Sequence, residues 1–231
     1  LLRTDAPELQ EEIFAAAPRR IIVACFASNI HRIQQVLDVA ARLGKKVAVN
    51  GKSMVSNTRI AADLGYLRVP PATLVKLDEL SQLPPDRGVI LTTGSQGEPL
   101  SAVARMAVGE HKQLTVEPGD TVVFSARVIP GNEQSIARTV NNLLRRGAQV
   151  ITEEVHPGVH VSGHPSREEL RRMLRLTRPR FFVPVHGEYR HLHAHAALAR
   201  DLGLPAERVF LLEDGQVLEL SPSAGSRAGC V

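Results

Sequence analysis

Apolar residues run along this chain in two alternating rhythms. Short continuous stretches rich in β-branched residues lie at Arg20 to Phe26, Lys46 to Val49, Gly88 to Leu91, Thr121 to Ser125 and Ala148 to Thr152. They read as strands covered on both faces, since a half-solvated strand would alternate apolar with polar positions. Between them the spacing turns helical: Ile30, Ile33, Val36, Leu37 and Ala40 form one stripe that stops at Gly44, and Met54 to Leu64 forms another that stops at Gly65. Further helices are predicted at Pro7 to Ala17, before Gly109 and from Glu133 to Arg146. Tyr66 to Pro85, broken by Pro70-Pro71 and Pro84-Pro85, reads as a connector around a short helix. Strand, loop, helix, strand is the order of a parallel sheet, so the fold class is α/β, a mostly parallel sheet with flanking helices.

The pattern changes after residue 152. Arg167 to Leu176 predicts a basic amphipathic helix, Phe181 to Val185 a buried strand that delivers His186, and Glu188 to Leu202 a helix stopped by Gly203. Val209 to Leu212 and Val217 to Leu220, joined by Glu213-Asp214-Gly215, predict a hairpin, and the residues after Leu220 read as tail.

In a parallel sheet the loops leaving the strand ends share one edge, where ligands bind. Those loops are alike here: Ala-Ser-Asn (27–29), Asn-Gly-Lys-Ser (50–53), Gly-Ser-Gln-Gly-Glu (94–98), Pro-Gly-Asn (130–132), then Val-Ser-Gly-His (161–164) and Val-His-Gly-Glu (185–188). Small residues admit close backbone approach and helix amino ends favour anions, so this edge suits phosphate, with Ser28 and Asn29 among its candidate contacts. Asn29, Ser53 and Asn132 serve equally well as ordinary helix caps. Glu98 reads either as an acid that tunes a histidine or as a first-turn carboxylate. No Gly-Lys-Ser/Thr ending and no Gly-x-Gly-x-x-Gly pattern follows a strand in the glycine-rich loop, which disfavours a nucleotide cofactor.

Composition narrows the classes. With 28 basic against 24 acidic residues the net charge is only +4, a mild lean towards anionic partners. Aromatic content is 3% with no tryptophan, so stacking on several bases is a poor mode for this chain, and a nucleic-acid backbone is the better target. No apolar run reaches the roughly 20 residues that span a bilayer. Cys25, inside an apolar run, and Cys230 suit neither a disulfide framework nor a zinc cluster, and a cytoplasmic setting is expected. The first residue is Leu1 rather than methionine, as an excerpt of something longer would have it.

Chemistry gathers from His156 to His195, which holds seven of the nine histidines. An imidazole fixed at a strand end, with a turn leaving one face open, is placed to bind a metal or move a proton, and His164 and His186, each beside a glycine, have that setting. His191 and His195 lie one turn apart on a helix, a spacing that serves a metal pair or a solvated face.

Taken together, Phe-Ala-Ser-Asn-Ile-His-Arg (26–32), Thr-Thr-Gly-Ser-Gln-Gly-Glu-Pro (92–99), Ile-Pro-Gly-Asn (129–132), His-Val-Ser-Gly-His (160–164) and Pro-Val-His-Gly-Glu-Tyr-Arg (184–190) resemble bacterial ribonuclease J, of the β-CASP branch of the metallo-β-lactamase superfamily. The resemblance implies a β-CASP domain over residues 3–161, then over 162–220 the returning second segment of a metallo-β-lactamase αββα domain, and a tail over 221–231. It implies catalytic roles for Glu98 and His164, zinc ligation by His186, and proximity of Ser95, Gly97, His160, Ser162 and Gly163 to RNA phosphates. The activity implied is zinc-dependent hydrolysis of RNA, 5′-3′ exonucleolytic, endonucleolytic or both, on 5′-monophosphorylated RNA without sequence preference, by a homo-oligomer with two Zn2+ per intact site. The family's His-x-His-x-Asp-His motif is absent from this sequence, so the chain alone is expected to be inactive, with the returning segment's apolar face exposed. Two other readings stand beside this one: a non-catalytic RNA- or phosphate-binding α/β module, and a hydrolase of small esters built on the same metal fold.

Overall fold

The five apolar runs become five strands, β1 (Ile21–Ala24), β2 (Lys46–Val49), β3 (Gly88–Thr92), β4 (Thr121–Phe124) and β5 (Gln149–Ile151). They form one sheet in the order β2-β3-β1-β4-β5, every neighbouring pair parallel. The computed structural model from which this is drawn describes residues 7–156, 158–159 and 164–230. By its contacts the chain divides into two units, Leu1–Ser162 and Gly163–Val231.

In the first unit the alternation of each strand feeds two separate cores. Ile21 and Val23 face one side, with Phe14 of α1 (Pro7–Ala16), Ile33 and Leu37 of α2 (Ile30–Arg42) and Met54 of α3 (Lys52–Asp63). Ile22 and Ala24 face the other, with Leu80 of α4 (Leu77–Leu80), Met106 of α5 (Ala102–Val108) and Leu143 of α6 (Glu133–Arg145). This double coverage is why β1, β3 and β4 are buried throughout and read as unbroken apolar runs. Each such side chain contributes about 1.5–3 kcal/mol. At the amino ends of the strands Arg20 grips Asp120 with two bonds (Nη2 to Oδ2 2.6 Å, Nε to Oδ1 3.2 Å), and the Asp120 side chain is fully buried.

The topology places the ligand edge. The chain leaves β1 towards the α2 face, whereas its neighbours β3 and β4 are followed by α5 and α6 on the opposite face. Loops therefore splay apart on both sides of β1 at the carboxyl ends, the topological position where α/β sheets hold ligands.

The second unit is built from α7 (Arg167–Thr177) and α8 (Tyr189–Asp201) around Leu174, Ala196, Ala199 and Val209. Ser166 and Glu169 cap α7 reciprocally, the Ser166 amide donating to Glu169 Oε2 at 2.6 Å and the Glu169 amide to Ser166 Oγ at 3.4 Å. Three expectations fail here. Phe181 to Val185 is not a buried strand: it makes one parallel bridge, Phe182 to Val209, and Val185 is 73% exposed. An apolar β-prone run becomes a strand only when neighbouring backbone pairs with it, and among the described residues only this one bridge does. The hairpin also shifts: β6 (Gln216–Leu220) pairs antiparallel with β7 (Gly225–Cys230), not with residues 209–212. The stretch read as tail thus supplies the partner strand, a pairing hidden because Gly-Ser-Arg-Ala-Gly-Cys carries little apolar signal.

No helix among the described residues is long and apolar enough to cross a membrane. Both cysteines are free, and burial pushes the Cys25 thiol up to about 12, which makes it inert.

Candidate functional site

The β3–α5 loop, Thr93 to Ser101, is shaped by contact with its neighbours. Gly94 has φ of +108°, and a Cβ there would lie 2.3 Å from Oγ of Ser101, the residue that caps α5. Gly97 has φ of +69°, and a Cβ there would lie 2.5–2.6 Å from the backbone of Ser135 and Ile136 in α6. Both glycines are thus required for close approach of loop to helix. Between them Gln96, 3% exposed, stitches this loop to the one after β4. Its amide nitrogen donates to Arg127 O at 2.9 Å, and its amide oxygen accepts from Ile129 N at 2.9 Å and from Asn132 Nδ2 at 3.3 Å.

Donors that the sequence suggested would face a polyanion are largely occupied. The Gly97 amide donates to Gly94 O at 3.0 Å, and the Gln96 amide to Glu98 Oε2 at 3.2 Å. In the β4–α6 loop the Gly131 amide donates to Glu133 Oε2 at 2.8 Å. Each loop already holds a carboxylate of its own. Ser95 is buried at 2% exposure, whereas Glu98 is exposed.

After β1, Asn29 accepts from Arg32 N at 3.1 Å and so caps α2, while Ser28 is exposed beside it. Asn57 Nδ2 holds the same loop by donating to Ala27 O at 3.0 Å. Of the other presumed caps, Asn132 turns to Gln96 instead, and α3 starts from Gly51 without a side-chain cap. At the end of β2, Asn50 Nδ2 lies 3.1 Å from His111 Nε2, and His111 Nδ1 accepts from the amides of Leu114 (3.1 Å) and Gln113 (3.3 Å). Desolvation, then the Arg105 charge, lowers the His111 pKa.

In the second unit the imidazoles of His164 and His186 stack, with centroids 5.1 Å apart and planes 17° from parallel. Both residues are exposed. His186 has φ of +71°, one of three non-glycine residues in the left-handed region among the described residues. Such a conformation costs about 1–3 kcal/mol, and it turns the chain sharply into Gly187 and α8 while leaving the ring at the surface. His160, Ser162 and Gly163 lie outside the described residues.

The α8 histidines separate by role. His191 Nδ1 accepts from the Glu188 amide at 3.1 Å and braces the helix start. His195 packs edge-on against Phe182 at 4.8 Å, and desolvation lowers its pKa. In this structure the two rings have separate partners. Among the described residues no group of three or more His, Cys, Asp or Glu side chains could hold a metal ion. His186 is therefore at most one ligand of a zinc site that the described residues do not close, since zinc takes about four.

Sequence reasoning missed Gln96, although a polar residue between two glycines in a loop leaving a buried strand was a usable signal. It also named a basic amphipathic helix over Arg167 to Leu176 but drew nothing from Arg178, Arg180 and Arg208.

A family model described as "Ribonuclease J, beta-CASP domain" matches residues 18–143, and one described as "Zn-dependent metallo-hydrolase RNA specificity domain" matches residues 147–211. The chain is 46% identical over 211 residues to a ribonuclease J of Synechocystis sp., an alignment covering 91% of this chain and 33% of that protein. It is 40% identical over 228 residues to a ribonuclease J of Helicobacter pylori strain B128 (99% and 33%), and 43% identical over 219 residues to one of Mycolicibacterium smegmatis (95% and 39%). The chain thus spans 33–39% of the length of these curated relatives.

Proposed function

Because this chain belongs to the ribonuclease J family, we propose that it forms part of a zinc-dependent ribonuclease that hydrolyses RNA phosphodiesters, acting in 5′-3′ exonucleolytic mode, endonucleolytic mode or both. The observation that carries the proposal is the exposed His164–His186 stack at a left-handed turn, two imidazoles held within one reacting group's reach of each other at a conformational cost. In this reading His186 is a zinc ligand, and the remaining ligands come from the part of the relatives' length that this chain does not span. Bound zinc would supply Lewis acidity towards the phosphodiester. His164 gives a proton to the leaving oxygen. Glu98, exposed within the β3–α5 loop, is an acid of the reaction, and Ser28, Asn29, Ser95, Gly97, His160, Ser162 and Gly163 are contacts of RNA phosphates.

Gln96 is a positioning residue: by tying the β3–α5 loop to the β4–α6 loop it fixes where Glu98 stands. RNA is read through phosphates and a 5′-monophosphate rather than base edges, in keeping with the 3% aromatic content. Residues 3–161 form the β-CASP domain and 162–220 the returning segment of the metallo-hydrolase domain, in a cytoplasmic homo-oligomer. The test is digestion of 5′-monophosphorylated RNA by the full-length protein. Zinc-dependent cleavage that His186→Ala and His164→Ala both abolish is expected, and undiminished cleavage by either variant refutes the assignment.

A further inference from the structure

A second anion-seeking feature lies entirely within the second unit. We propose that the groove between the carboxyl ends of α7 and α8 binds the phosphates of a nucleotide, either free or as a unit of an RNA chain. The groove, about 520 Å3 in volume, is lined by Arg175, Arg178, Arg180 and Arg208 over an apolar floor that includes Leu174 and Leu204.

Backbone geometry assembles the four arginines from separate parts of the sequence. Arg175 sits in the last turn of α7. Arg178 closes that helix, its amide donating to Leu174 O at 2.9 Å. Arg180 lies two residues before Phe182, whose amide donates to Arg208 O at 2.8 Å, so the two segments carrying these arginines run alongside each other. None of the four makes an ion pair among the described residues, although Arg167, Arg171 and Arg190 of the same unit all do.

Positive side chains near a helix carboxyl end complement its dipole, and that accounts for the charge at Arg175 and Arg178. It does not account for the backbone at Arg178. This residue holds φ of +44°, where a helix end ordinarily places glycine or asparagine, so a long side chain is kept there against backbone preference. Nor does it account for residue type: from Gly163 to Val231 every cation is arginine and none is lysine. The planar guanidinium fork matches phosphate oxygens two at a time, which a lysine ammonium does not.

Charge and size together select the ligand. Four guanidinium groups without carboxylates are matched by a group carrying several negative charges, such as a diphosphate or two successive phosphodiesters, better than by a single carboxylate. The volume falls in the range of about 300–1,000 Å3 usual for small-molecule sites, and the leucine floor suits a ribose or base. This pocket is independent of the nuclease reading, since it contains neither His164 nor His186.

The experiment measures binding of ADP, and separately of a short labelled oligoribonucleotide, to the full-length protein with EDTA present to suppress hydrolysis. Arg178→Gly is the telling variant: it relieves the left-handed strain, so its thermal midpoint should equal or exceed that of the parent, while affinity falls roughly tenfold with the loss of a charged hydrogen-bonding group. Arg175→Gln with Arg208→Gln should lower affinity further. A fall in ADP affinity identifies free nucleotide as the source, and a fall confined to the oligoribonucleotide identifies RNA. Because the nuclease assignment is read from cleavage by His186→Ala and this one from ADP affinity of the arginine variants, failure here and failure of the nuclease assignment are told apart. Unchanged affinities in the folded Arg175→Gln/Arg208→Gln protein, or malonate bound as tightly as ADP, would overturn the proposal.

Discussion

The strand-end loops of the first unit and the surface of the second treat polar groups in opposite ways. Around β3 and β4 the loops are closed: Gln96 bonds three partners across two loops, and Glu98 and Glu133 take the amides of Gln96 and Gly131. In the second unit His164 and His186 stack at the surface and four arginines line an open groove. Satisfied polar groups fix geometry and ask nothing of a ligand, whereas exposed groups held at a conformational cost are where ligand chemistry is to be sought. By their bonding the loops around β3 and β4 read as a frame, while the proposed metal ligand and proton donor stand exposed on the second unit.

The largest expected effects test that division through catalysis. His186→Ala or His164→Ala in the full-length protein should lower RNA cleavage by about 10²–10⁴-fold, as loss of a proton-transfer or metal-binding group does, with the thermal midpoint little changed because both side chains are exposed. Single-turnover cleavage beside a thermal melt separates the two quantities, and a large stability loss would place these histidines with the frame instead.

Gly97→Ala should do the reverse. Its Cβ meets α6 backbone rather than a yielding side chain, and its φ of +69° disfavours any side chain, so a stability loss of about 2–4 kcal/mol is expected by urea denaturation. Gln96→Ala should cost less, about 1–3 kcal/mol, mainly by stranding the Ile129 amide and the Arg127 carbonyl. If neither variant loses stability, the loops are not the frame inferred here.

The smallest effect is a pH dependence contributed by each unit. Unfolded, His111 and His195 start from the ordinary value of 6.5, and folding lowers both, by desolvation in each case and secondarily by the Arg105 charge for His111. The unfolded chain then binds more protons just below pH 6.5, so this stability is fully present above 6.5 and is lost as pH falls towards the depressed folded values. Denaturation midpoints on either side of that pH should differ modestly. The His195→Gln variant, which removes the contact edge-on to Phe182, should flatten the second unit's share.

How far the sequence could be read followed how local each determinant was. The parallel sheet and its helices were legible because burial on both faces writes itself as unbroken apolar runs between helical stripes, as β3 and α2 show. His164 and His186 were legible as a pair because glycine-flanked histidines stand out against a chain otherwise sparing of histidine. Their stacking was not, being set by how two segments more than twenty residues apart in sequence come together.

By itself the sequence determined the α/β class, the order of elements through α7, the edge on which the first unit's loops gather and the family resemblance, since each rests on periodicity, capping residues or contiguous motifs. Only the tertiary structure decided that Phe181 to Val185 forgoes a strand, that Gly225–Cys230 becomes one, that Gln96 ties two loops together, and that Arg175, Arg178, Arg180 and Arg208 share one groove. Those outcomes depend on which distant backbone lies alongside, and pairing partners across space leave no period in a linear sequence.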